Sequence, residues 1–207
     1  MATATPIVKK KGKSVDKWKL KKYYDIVAPD IFQEKIIGQT VAEDDARLMN
    51  RIINLSLTEM TGVYDELNLY TMVKLRVVDI KGQHAFTKLA GHELSRSYIR
   101  TLAMRRRSVI DPVVDVKTKD GTIVRIKGLI VAAERISGAQ KTALHNLFIS
   151  EMNAIAAEKT MNEIMNDILF DKVSMQYGMK AKKIVPLRGV KIKKTEIKVP
   201  ITKVEKQ

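Results

Sequence analysis

The 207-residue chain contains no cysteine, which excludes disulfides, zinc–thiolate centres and thiol nucleophiles. Aromatic residues make up only 5% of it, so base stacking has few rings to work with. No run of about 18 apolar residues occurs, and the basic N-terminus lacks the apolar core and small-residue cleavage site of a signal peptide. There is no lipidation motif and no clear amphipathic basic helix. These absences predict an intracellular protein that neither spans nor anchors to a membrane.

The usual signatures of catalysis are missing as well. No G-x-G-x-x-G or G-x-x-x-x-G-K-[ST] follows a candidate strand, and no serine sits in G-x-S-x-G. His84, His92 and His145 match no metal-ligand spacing, and His92-Glu93 has no second histidine four residues on, so each reads as a structural or surface group. Glu43, Asp44 and Asp45 could hold metal ions in an RNA-processing enzyme. Consecutive carboxylates in a polar loop are more simply solvated, and no catalytic residue, metal, cofactor or small-molecule substrate is expected.

What the chain does have is positive charge, +15 in all, and its placement is informative. Residues 1–22 hold eight lysines against Asp16, and residues 179–207 hold ten basic side chains against Glu196 and Glu205. Between them, residues 23–178 carry 20 basic and 20 acidic side chains. Like charges crowded at two ends repel one another and call for a polyanion, and nucleic acid supplies one by releasing condensed counterions. The candidate RNA contacts are Lys9, Lys10, Lys11, Lys13, Lys17, Lys19, Lys21 and Lys22 at the front. At the rear they are Lys180, Lys182, Lys183, Arg188, Lys191, Lys193 and Lys194. Inside the balanced region Arg105, Arg106 and Arg107 join them, because guanidinium forks grip phosphate oxygens bidentately. Trp18, Tyr23 and Tyr24, beside the front lysines, either stack on unpaired bases or plug the arm onto the body.

Residues 1–17 read as a basic mobile arm, 18–178 as a globular body, and 179–207 as a basic strand and tail. Within the body, 18–136 is rich in strand signals and 137–178 in helical ones. Strands are predicted over Arg51–Leu57 and Leu67–Ile80, with a hairpin through Lys81, Gly82 and Gln83 into His84–Ala90. Ser95 reads as the N-cap of a helix running into the three arginines. Val114 to Thr118, Asp120-Gly121 and Ile123 to Leu129 form a second hairpin. After Ser137 the period becomes helical, Thr160 and Glu163 form a capping box, and a short helix is predicted between Lys172 and Ile184. Val190, Ile192, Ile197 and Val199 read as a partly docked strand. The order argues an α+β domain, a curved antiparallel sheet or partial β-barrel covered by helices, with basic N- and C-terminal extensions.

Four blocks resemble the 3Ae family of small-subunit ribosomal proteins, also called S-one-e, in its archaeal form. They are Lys22-Tyr23-Tyr24-Asp25 with Ala28-Pro29 and Phe32; Leu48 to Met60, in which Asn50, Asn54, Glu59 and Met60 depart from the family's Gly, Glu, Asp and Leu; Gly91 to Arg96 with Tyr98-Ile99-Arg100; and Val114 to Gly121. With Tyr177 to Val199, the likeness spans nearly everything from Trp18 onward. The resemblance implies a non-enzymatic, cytoplasmic constituent of the small subunit, on its platform near the mRNA exit. Its partners would be small-subunit rRNA and neighbouring ribosomal proteins, with mRNA near the exit a further candidate contact. A substoichiometric assembly factor or RNA chaperone is the competing expectation.

Overall fold

Alternation of apolar and polar side chains builds most of the molecule. The computed structural model describes residues 18, 19 and 21–198. Lys9, Lys10, Lys11, Lys13 and Lys17, and everything from Val199 onward, lie outside the described residues. The strands are β1 (Lys22–Val27), β2 (Ile36–Ala42), β3 (Ile52–Ser56), β4 (Thr71–Lys81), β5 (His84–Leu94), β6 (Val109–Ile110), β7 (Val113–Lys117), β8 (Ile123–Ala132) and β9 (Leu187–Lys198). The helices are α1 (Asp45–Leu48), α2 (Leu57–Thr61), α3 (Glu66–Tyr70), α4 (Arg96–Leu102), α5 (Gly138–Glu158), α6 (Met161–Leu169) and α7 (Lys172–Ala181).

All the strands join one unclosed sheet. Its path runs β2-β1-β5-β9-β8-β6, with β4 on the far edge of β5, β3 beyond β4, and β7 beside β6 on β8. The pairings are antiparallel except that β1 runs parallel to β5, so the sheet is mixed, within the α+β class the order of elements predicts. The largest difference from the sequence reading lies in β9. It is a middle strand, paired with β8 along nearly its whole length and with β5 over Lys194–Glu196.

Apolar side chains gather on one face of this sheet. Val114, Val116, Val124, Ile126, Ile192 and Ile197 pack on Leu144, Phe148 and Met152 of α5 and on Tyr177 of α7. Val73, Leu75 and Leu89 pack on Leu57 and Met60 of α2. Helix α6 ties the two clusters, because Ile164 and Ile168 enter the first while Met165 and Leu169 enter the second. Its capping box forms as predicted, with Glu163 accepting from the Thr160 N–H at 2.9 Å. The extended Lys159 separates α5 from α6.

Two predicted strands are shorter than expected for local reasons. The run Arg51–Leu57 ends at Ser56, whose hydroxyl accepts from the Glu59 N–H and starts α2. Leu67–Ile80 begins as α3 and becomes strand only at Thr71, whose hydroxyl donates back to the Leu67 carbonyl.

The two parts of the sheet meet at three residues, Gly91–Glu93 of β5 against Lys194–Glu196 of β9. His92 sits in this seam, 2% exposed. Its backbone N–H donates to the Thr195 hydroxyl at 3.1 Å, and that hydroxyl donates to Nδ1 at 2.7 Å. Nε2 then carries the proton and donates to the Ile192 carbonyl at 3.1 Å. Burial drives the ring's pKa down to about 4, so the folded protein resists a proton that the unfolded chain accepts near 6.5. Between those values stability falls as the pH falls. Urea unfolding should lose about 2 kcal/mol between pH 7 and pH 5; equal stability at both would mean that His92 is not held neutral.

Candidate nucleic-acid interface

Three loops converge at one end of the sheet, where β8 ends and β9 begins. The Ser108 N–H donates to the Glu134 carbonyl at 3.3 Å, the Ala132 N–H to the Ser108 carbonyl at 3.0 Å, and the Ala133 N–H to the Pro186 carbonyl at 3.0 Å. Ser108 Oγ also accepts from the Ile136 N–H at 3.1 Å. These bonds stitch segments 103–108, 133–137 and 182–188 together. These segments carry Arg105, Arg106, Arg107, Arg135, Lys182, Lys183 and Arg188 and a single acid, Glu134. Met104 lies at their centre, its sulfur receiving Nη1 of Arg188 at 2.9 Å and of Arg107 at 3.6 Å.

The three arginines do not continue a helix, contrary to the sequence reading. Helix α4 has the predicted Ser95 cap, whose hydroxyl accepts from the Tyr98 N–H, but it ends at Leu102. The arginines follow in a turn, with Arg106 held at φ +62° in the left-handed region. That conformation costs a non-glycine residue of order 1 kcal/mol, and it reverses the chain so that Arg105 and Arg106 stand exposed.

The other candidate residues divide by partner. Lys180 pairs with Glu151 at 2.6 Å, Lys191 pairs with Asp171, and Lys194 pairs with Glu196 at 2.6 Å and Glu93 at 3.6 Å. Lys182, Lys183, Arg188 and Lys193 form no ion pair among the described residues. Lys19, Lys21 and Lys22 lie at the opposite end of the sheet, beside the start of β1, with the Lys21 ammonium 4.2 Å from the centre of the Trp18 ring. Trp18 and Tyr23 are 62% and 60% exposed, whereas Tyr24 is buried and donates its hydroxyl to Asp45. Of the three rings, Tyr24 is the plug. Arg135 is a basic residue that the sequence reading passed over, since it stands alone in a loop and joins the others only through the fold.

Among the described residues no cluster of acids and histidines that could hold a metal ion accompanies these charges. Glu43 is taken up by Arg47 and Asp45 by Tyr24, so the acidic run points at separate partners. A cavity of about 580 Å³ lies in the gap between β1 and β9, lined by Pro29, Phe86, Thr87, Leu89, Met161 and Ile197. It is remote from the arginine loops. No helix among the described residues is long and apolar enough to cross a membrane.

Comparison with known proteins agrees with the blocks quoted above. The model of the Ribosomal S3Ae family matches residues 9–200. The chain belongs to this ribosomal protein family. It is 42% identical over 182 residues to a protein of Sulfurisphaera tokodaii, covering 88% of this chain and 93% of that one. A protein of Sulfolobus acidocaldarius is 41% identical over 182 residues, covering 88% and 92%. One from Saccharolobus islandicus is 36% identical over 192 residues, covering 92% and 91%. All three carry the name small ribosomal subunit protein eS1. Membership makes this S3Ae chain a structural component and not an enzyme.

Proposed function

We propose that this protein is a constituent of the small ribosomal subunit that binds and stabilises small-subunit rRNA on the platform near the mRNA exit. The observation that carries the reading is the meeting of Arg105, Arg106, Arg135, Lys182, Lys183 and Arg188 on three hydrogen-bonded loops with one acid among them. Held on a fixed frame, such a set grips phosphates with little further loss of side-chain freedom. The lysines around Trp18, roughly 60 Å away along β9, β5 and β1 by a count of strand rise, engage a second stretch of the same RNA. Neighbouring ribosomal proteins complete its surroundings in the cytoplasmic ribosome, and mRNA leaving the exit passes within reach.

The variant R105Q/R106Q/R188Q tests this. Its affinity for small-subunit rRNA should drop at least tenfold at about 0.15 M salt, and the slope of log affinity against log salt should flatten by about 2. Thermal unfolding should hardly change, because none of the three side chains forms an ion pair among the described residues. Unaltered RNA affinity would remove the arginine loops from the interface.

A further inference from the structure

The sheet has a second face that no described helix covers. Register places Arg76 and Lys88 opposite one another on it, then Lys74, Glu196, Arg125 and Asp115 in the next row. The row after holds Ser56, Met72, Glu93, Lys194, Lys127 and Val113, while Lys198, Ile123 and Lys117 form a row on the other side of Glu196. Counted over these rows, eight cations stand against three acids. The cations of this face are thus not matched by acids on it, while Glu151, Asp167 and Asp171 lie on the helical side, each with a lysine of its own.

Each of the three acids is held between cations. Glu93 lies between Lys74 and Lys194, Glu196 between Lys194 at 2.6 Å and Lys127 at 3.9 Å, and Asp115 accepts from Nε and Nη2 of Arg125 at 2.6 and 2.7 Å and from Lys198 at 2.9 Å. This lattice fixes five ammonium and guanidinium groups in place and still leaves them in excess. Arg76, Lys88 and Lys117 form no ion pair among the described residues. These rows carry no aromatic ring, and Phe86, at the far end of the sheet, lies under the Lys81 ammonium. Sheets that bind single strands hold bases by stacking them on rings, and the cationic rows offer none. Its chemistry suits phosphate oxygens, which an A-form duplex presents outward while its bases stay paired.

We propose that the open face of the sheet seats the phosphate backbone of double-helical RNA without reading its sequence. The proposal rests on the rRNA-binding reading above and assigns a second surface and an RNA form to it. An acidic protein segment is the other partner that an excess of cations would admit.

The test compares the full chain with R76Q/K88Q/K117Q, which leaves the lattice intact, using a short mixed-sequence RNA duplex, its single strand and polyglutamate as probes over a KCl series. The variant should lose roughly tenfold in duplex affinity, with a salt slope flatter by about 2, and much less for the single strand. Equal losses for all three probes would make the face a general anion sink and overturn the duplex assignment, as would unchanged duplex affinity. If the variant matches the parent while R105Q/R106Q/R188Q loses RNA, only the sheet-face proposal falls. If the parent binds no RNA at all, the underlying reading falls with it.

Discussion

Replacing Gly91, inside β5, by alanine should destabilise the protein far more than adding a methyl group at a turn glycine such as Gly82. A Cβ at Gly91 would stand 2.2 Å from the Thr195 carbonyl oxygen and 3.0 Å from its carbon, both backbone atoms, and the residue's φ of +151° is one that side chains rarely adopt. Relief requires β5 and β9 to part where their pairing is only three residues long. Parting them breaks the His92–Thr195 bonds and leaves buried polar groups unpaired, at about 1–3 kcal/mol each, on top of about 1–3 kcal/mol for overpacking. A loss of about 4 kcal/mol is a large share of a total of order 5–15 kcal/mol. Gly82→Ala is the comparison, since φ is +64° there but nothing lies within 4 Å, and it should cost about 1 kcal/mol. Urea unfolding of both variants measures the difference. Equal midpoints would show that the seam yields easily and that the two parts of the sheet are not locked at this point.

The second large effect is on RNA binding. Affinity of the full chain for small-subunit rRNA should fall about a thousandfold between 50 and 200 mM KCl, as for proteins that make about six or more phosphate contacts. Seven cations on the arginine loops stand without acidic partners among the described residues, which corresponds to a slope of about −5 to −6. Had all the candidate lysines and arginines reached phosphate, the slope would be near −13 or steeper. Lys180, Lys191 and Lys194 are already neutralised by Glu151, Asp171, Glu93 and Glu196, so they release fewer counterions. Filter binding or fluorescence anisotropy across the salt series gives the number directly. A slope shallower than about −2 would contradict a phosphate-dominated interface.

Much of the fold was legible because its signals are local. The Asp120-Gly121 hairpin, the Ser95 cap and the Thr160–Glu163 box each depend on a few adjacent residues, and each appears where expected. The Ser56–Glu59 box has the same S-x-x-E pattern and could have shortened the strand predicted over Arg51–Leu57. Strands β1 and β2 are harder, since Lys22, Tyr23, Gln39 and Thr40 dilute the apolar alternation at the edge of the sheet.

β9 is the instructive case. Its lysines read as a half-docked tail, yet a sheet with one face open to solvent needs a polar residue at every second position even in its middle. Lys194, Glu196 and Lys198 occupy those positions while Thr195 and Ile197 face the core. The arginine cluster was visible only in part, because Arg135 and Arg188 reach Arg105 and Arg106 through contacts between loops far apart in sequence. The cation excess of the open face was hidden for the same reason, as a sum along the chain does not show which face each charge takes.

This S3Ae protein is expected to stay in the finished small subunit, held by phosphate contacts. The direct measurement is its copy number per mature small subunit after a moderate salt wash, by quantitative mass spectrometry against several other subunit proteins. The account predicts close to one copy, released together with the onset of the salt dependence described above. A clearly substoichiometric amount on mature subunits, with enrichment on immature particles, would contradict it and mark the protein as a factor that departs before translation.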